Sequence, residues 1–78
     1  MALSKYLSSK TKPELQEMIA LLNLTSGEEE VFWYLSKGYN VIKISEEYGA
    51  SQATITRLIK NIAIKIEKNR KEKVIIVF

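Results

Sequence analysis

Short polar side chains are concentrated between Ser51 and Asn61, where the sequence reads SQATITRLIKN. A solvated helix normally exposes Glu, Lys, Gln and Arg, because those residues cost little helix propensity. Short hydroxyl and methyl groups instead let a helix approach base edges closely, and Arg and Asn can make paired hydrogen bonds to guanine and adenine. This segment therefore favours contact with nucleic acid, and a polar surface that only meets water is the alternative.

Other kinds of chemistry lack the residues that they need. The chain has 78 residues and contains no cysteine, no histidine and no aspartate. This composition excludes disulfides, thiolate or imidazole metal ligands, a cysteine nucleophile and a histidine base. The glutamates fall in helical patterns, where they suit helix caps and solvated surfaces rather than a catalytic pair. We therefore expect no enzymatic activity, no metal and no cofactor.

The basic residues are concentrated at one end of the chain. Residues 1–50 contain five Lys and seven Glu, a net charge of −2, whereas residues 51–78 contain five Lys, two Arg and two Glu, a net charge of +5. A basic segment that begins with SQATITRLIKN suggests a polyanionic partner. A solvated lysine-rich end is the alternative, because it would have the same composition.

The hydropathy of the chain gives no sign of a membrane segment. No apolar run approaches the roughly eighteen residues that span a bilayer. The sequence MALSKYLSSK also lacks the continuous apolar stretch of a signal peptide. We expect a soluble, cytoplasmic protein that makes no membrane contact.

Two capping boxes predict where two helices begin. Thr11 and Glu14 precede the apolar stripe of TKPELQEMIALL, and Thr25 and Glu28 begin a helix over about 26–37. One face of the second helix carries the residues expected in the core, namely Val31, Phe32 and Leu35. Further upstream, helical spacing predicts a short first helix or an arm from Leu3, Tyr6 and Leu7.

A helix-turn-helix is predicted in the next segment. Asn40 can cap a short helix, VIKISEEY, that ends at Gly49, and Ser51 can cap a longer one over about 52–70. Such a pair of helices, joined by three residues with a glycine, can place its second helix in a DNA major groove. The glycine suits the left-handed conformation of the turn. Ser45 lies where a smaller residue is usual, so its hydroxyl needs a carbonyl or water. The apolar positions at the helix crossing are Ile44, Tyr48, Ala50, Ile55 and Leu58.

The long helix has two chemically different faces. At about 100° per residue, one side is apolar and comprises Ile55, Leu58, Ile59, Ile62 and Ile66. The opposite side carries the short polar and cationic residues. Ser51 and Gln52 lie at the N-terminal tip, where backbone N–H groups could hold a phosphate. The expected DNA-binding residues are Ser51, Gln52, Ala53, Thr54, Thr56, Arg57, Lys60 and Asn61.

The segment from Leu24 to Ile66, LTSGEEEVFWYLSKGYNVIKISEEYGASQATITRLIKNIAIKI, resembles the LuxR/GerE-type DNA-binding domain. The shared features are the Leu-Thr start, the Glu-rich first turn, the Glu-Val pair, the helix-ending Gly and the Ser-x-x-Thr of the recognition helix. The resemblance implies a transcription regulator that usually acts as a dimer. It implies that Thr54 is a cap or phosphate contact, that Asn61 is a further contact, and that the main DNA-facing residues are Gln52, Ala53, Thr56, Arg57 and Lys60. The pattern is also similar to region 4 of sigma factors, and GASQATITR is similar to a stretch of the Trp repressor.

The C-terminal residues are continuously apolar and mostly β-branched, so they could form a strand. Left exposed, such a segment would invite edge pairing or aggregation. It could fold back on the N-terminal helices of its own chain, or meet a second copy as an antiparallel ribbon or a packed patch across a two-fold axis. We favour a homodimer, whose expected interface comprises Ile64, Val74, Ile75, Ile76, Val77 and Phe78.

Together these patterns predict one all-α domain over residues 1–78, a small helix-turn-helix bundle of four or five helices. The helix-turn-helix unit is expected at about 41–70 and the apolar tail at 74–78. The expected function is sequence-specific binding of double-stranded DNA by a transcription regulator that acts by repression. The alternative is a protein-interaction module, such as an antirepressor or a subunit that docks on RNA polymerase through Trp33 and the acidic helix from Ser26.

Overall fold

The computed structural model describes the backbone of residues 2–77 and the side chains of residues 3–69. The described backbone forms five helices and contains no strand. They are α1 (Ala2–Ser8), α2 (Lys12–Leu22), α3 (Ser26–Ser36), α4 (Val41–Tyr48) and α5 (Gln52–Val77). This architecture confirms the predicted all-α helix-turn-helix bundle. None of the helices in the described range combines the length and the apolar character that a membrane crossing requires.

Both predicted capping boxes are present. The Thr11 hydroxyl accepts the Glu14 backbone N–H at 3.4 Å, and the Glu14 carboxylate accepts the Thr11 N–H at 2.8 Å. At α3, the Thr25 hydroxyl and the Glu28 carboxylate make the same reciprocal pair at 3.3 and 3.1 Å. Each box satisfies donors that the first turn of a helix leaves without an intrahelical acceptor, so each fixes where its helix begins.

All five helices contribute to one hydrophobic core. Its buried members are Leu7, Leu15, Leu22, Val31, Phe32, Leu35, Ile44, Ile55, Ile62 and Ile66. The first segment is therefore a packed helix rather than an arm, because Leu7 is fully buried and the Ser4 hydroxyl donates to the Leu35 carbonyl at 3.1 Å. The predicted core faces of α3 and α5 are confirmed.

The prediction that the apolar tail could be a strand was wrong. Helix α5 continues past the expected end near Arg70 and runs through Val74 to Val77. No glycine or proline follows Gly49 in the sequence, so nothing interrupts the propagation of the helix. The strand preference of β-branched residues is a weak prior that this context overrides. Phe78 lies outside the described residues.

Candidate nucleic-acid interface

The turn between α4 and α5 has the geometry that its glycine predicts. Gly49 adopts φ +80° and ψ +31°, the left-handed conformation, and its N–H donates to the Ser45 carbonyl at 3.0 Å. The Ala50 N–H donates to the same carbonyl at 3.3 Å. These two bonds close the C-terminus of α4 and redirect the chain within three residues. The direction of α5 is therefore set by this turn.

The two helices cross on an apolar contact. Ile44 and Ile55 are fully buried, whereas Tyr48, Ala50 and Leu58 are half-buried and pack against the same core. The Ser45 hydroxyl donates to the Ile42 carbonyl at 2.8 Å, which is one of the two solutions that the sequence left open. Packing on this side leaves the opposite side of α5 free to meet a partner.

The N-terminus of α5 is fixed by a local hydrogen-bond pair. The Ser51 hydroxyl accepts the Thr54 backbone N–H at 3.2 Å and lies 3.0 Å from the Thr54 hydroxyl. Ser51 is thus the N-cap, as predicted. Both side chains are exposed, as are Gln52 and Ala53 beside them. The tip of the helix therefore presents short polar groups to solvent.

The outer face of α5, defined here as Ala53, Thr56, Arg57 and Lys60, is exposed along its whole length. It lies opposite the buried Ile55 and Ile62, as the helical period requires. Short side chains and two cations therefore share one unobstructed surface. In this arrangement Arg57 and the short residues can approach base edges while Lys60 reaches a phosphate.

Asn61 is placed differently from the other candidate residues. It is half-buried, and its side chain lies beside the carboxylate of Glu28. The structure therefore brings seven of the eight candidates to the exposed tip and outer face and turns the eighth toward α3.

Glu28 is buried and forms an ion pair with the partly exposed Lys65, a contact that sequence reasoning missed. Its side chain is almost fully buried, and its carboxylate lies 2.5 Å from the Lys65 ammonium. Lys65 also donates to the Asn23 carbonyl at 3.2 Å. The hydrogen bond from Lys65 lowers the pKa of Glu28, with smaller contributions from Thr25 and Asn61, although burial opposes the shift. The capping box identified Glu28, but no local pattern could reveal a partner 37 residues away.

The predicted dimer interface is only partly described. Ile64 is 55% exposed on the side of α5 opposite the core. The other predicted residues, Val74, Ile75, Ile76, Val77 and Phe78, have side chains outside the described range. Among residues 3–69, no cluster of carboxylates that could hold a metal ion occurs.

The chain belongs to the LuxR family of bacterial regulatory proteins. The sequence model of this family, described as "Bacterial regulatory proteins, luxR family", matches residues 22–78. The match confirms the resemblance, and it identifies the chain as a DNA-binding helix-turn-helix protein of transcription regulation. Helix α1 and nearly all of α2 precede the matched residues. Comparisons with curated proteins and with solved structures gave no match.

Proposed function

We propose that the chain binds double-stranded DNA in the major groove with the outer face and N-terminal tip of α5. The observation that carries this proposal is the division of α5 into a core-packed face, on which Ile55 and Ile62 are fully buried, and an exposed face with Arg57 and Lys60. A helix supported from behind can enter the groove without losing core contacts. Bound over a promoter, the protein would repress transcription by occupying the site.

The two cations have different tasks in this proposal. Arg57 reads a base through its planar guanidinium, whereas Lys60 contacts a phosphate as a point charge. We expect Arg57→Ala to relax base preference by about 1–3 kcal/mol at one position. We expect Lys60→Ala to weaken binding to all sequences alike and to lower the salt dependence by about one unit.

Both expectations are tested by measuring DNA affinity with fluorescence anisotropy across a salt series. The probes are a duplex selected from a random pool, its single-base variants and random DNA. Lys12→Ala is the control, because Lys12 is exposed on α2, outside the helix-turn-helix. Equal losses on selected and random DNA for both variants would contradict the base-reading role. Absence of salt-sensitive binding at low ionic strength would favour the protein-interaction alternative.

The chain acts as a homodimer in this proposal. Ile64 is an exposed apolar residue beyond the outer face, and α5 continues as a helix into the apolar sequence at 74–77. A helix end that is apolar on all sides is stable only when its surface is buried, and in this proposal a second copy of the chain buries it. Two recognition helices would then read half-sites about 34–36 Å apart.

Sedimentation equilibrium at tens of micromolar protein tests the dimer. We expect Ile64→Ser to shift the protein toward monomer and to leave its helical content unchanged. Ile42→Ser is the matched control, since Ile42 is 56% exposed on α4. A monomeric wild-type chain that unfolds when residues 74–78 are deleted would contradict the dimer and favour a contact within one chain.

A further inference from the structure

The ion pair of Glu28 with Lys65 lies where α5 passes the end of α2 and the beginning of α3. The Glu28 side chain is 4% exposed, and it accepts the Thr25 N–H at the start of α3. From α5, Lys65 donates to it at 2.5 Å, and Asn61 lies beside it. Lys65 also donates to the carbonyl of Asn23, the left-handed residue that ends α2. The ion pair therefore ties α5 to both the end of α2 and the beginning of α3.

The contact restrains α5 in a way that its isoleucine face does not. Apolar burial is non-directional, so a ridge of isoleucines tolerates small rotations. A buried carboxylate is costly without its partner and requires hydrogen bonds of defined length and angle. Rotating or sliding α5 would separate the Lys65 ammonium from Glu28. The ion pair thus favours one rotational setting of the helix.

That setting determines which side chains reach DNA. Asn61 and Lys65 are one turn apart and form a stripe along the flank of α5, next to the outer face. Arg57 lies one turn before Asn61 on the same helix. A residue that reads a base must be held within about 0.5 Å and 10–20° of its productive geometry. Because the ion pair anchors the flank of α5, it holds Arg57 in the position and orientation that base reading requires.

We propose that Glu28 is a positioning residue of the DNA interface, which acts through Lys65 and Asn61 to fix the rotation of α5. The inference rests on the proposed function, because it concerns the same face of the same helix. It also assigns Asn61 a different task from the one its sequence position suggests. In this proposal the half-buried Asn61 faces Glu28 rather than a base.

The test replaces both partners, because removing only one would leave an unpaired group. The variant Glu28→Gln/Lys65→Met removes the ion pair while nearly preserving side-chain shape. The control Glu29→Gln/Lys68→Met makes the same chemical changes at exposed positions of the same two helices. Affinities are measured for a duplex selected from a random pool and for its single-base variants.

The ratio of these affinities distinguishes positioning from stability. A smaller folded fraction lowers the affinity for every duplex by one factor and leaves the ratio unchanged. A mismatched base pair costs roughly fivefold to 150-fold in affinity, and we expect this discrimination to fall severalfold in the double variant but not in the control. An unchanged ratio would overturn the proposal. Asn61→Ala should reduce discrimination at several positions, and a loss confined to one adenine would make Asn61 a base reader.

A measurement without DNA separates this proposal from the proposed function. Residual dipolar couplings report the orientation of α5 relative to α3 in the free protein. We expect a changed orientation in Glu28→Gln/Lys65→Met and an unchanged one in the control. An unchanged orientation in both variants would overturn the positioning role even if the protein binds DNA. Failure of the wild-type chain to bind any duplex would instead overturn the proposed function.

Discussion

Glu28 carries its charge inside the bundle, and its surroundings decide how the fold responds to acid. The Lys65 hydrogen bond lowers the pKa of Glu28 in the folded chain, and the unfolded chain has no such partner. A lowered folded pKa stabilises the fold above the ordinary glutamate pKa, about 4.3, and this contribution is lost as the pH falls through the folded pKa. Acid should therefore weaken the link between α3 and α5.

We predict that Glu28→Gln lowers the free energy of unfolding by about 1.5–3 kcal/mol at pH 7, the value of hydrogen bonds to a charged group. The difference from wild type should shrink between pH 5 and pH 3, because the wild-type carboxyl becomes protonated. Urea denaturation at several pH values measures this difference in the free energy of unfolding. Glu29→Gln is the exposed control and should differ little at any pH. A difference that grows toward low pH would contradict the stated direction of the pKa shift.

The α4–α5 turn depends on the conformational freedom of one glycine. Gly49 has a positive φ, and apart from its two chain neighbours no residue comes within 4 Å of where its Cβ would be. The cost of a side chain there is therefore backbone strain alone.

We predict that Gly49→Ala lowers the free energy of unfolding by about 1–2 kcal/mol. Gly49→Asn should cost less, since asparagine tolerates the left-handed region. Thermal or urea denaturation measures both variants. If both variants lost the same free energy of unfolding, and more than predicted, the cause would be a steric clash and not backbone strain.

Local sequence signals predicted the elements better than the contacts between them. The capping boxes at Thr11 and Thr25 and the turn at Gly49 depend on neighbouring residues. The helix starts and the turn could therefore be predicted from the sequence. The apolar tail was misjudged, because residue preferences for strand competed with a helix that nothing interrupts. The pairing of Glu28 with Lys65, and with it the inward position of Asn61, depends on how α3 and α5 pack. No pattern within either helix encodes that packing.

We propose that residues 1–78 form one domain. The family match begins at residue 22, yet Leu7 and Leu15, which precede it, are buried in the same core as Ile55. Helix α1 packs on α3 and α2 packs on α5. The N-terminal helices therefore support the helix-turn-helix from behind.

We predict that Leu7→Ala lowers the free energy of unfolding of the entire chain by about 2–5 kcal/mol, the usual cost of emptying a buried leucine site. Trp33 fluorescence and far-ultraviolet circular dichroism should give coincident unfolding transitions in wild type and variant. Lys5→Ala is the exposed control. A separate early transition for α1, with the Trp33 transition unchanged, would show that α1 is not part of the domain.

The outer face and N-terminal tip of α5 are the surface that we propose contacts DNA. The isotope-labelled chain is titrated with a duplex selected from a random pool, and nuclear magnetic resonance follows which residues respond. We predict that the largest chemical-shift changes occur at residues 51–60 and at the Arg57 side chain. Changes centred on α1, α2 or Trp33, with residues 51–60 unaffected, would contradict the proposal.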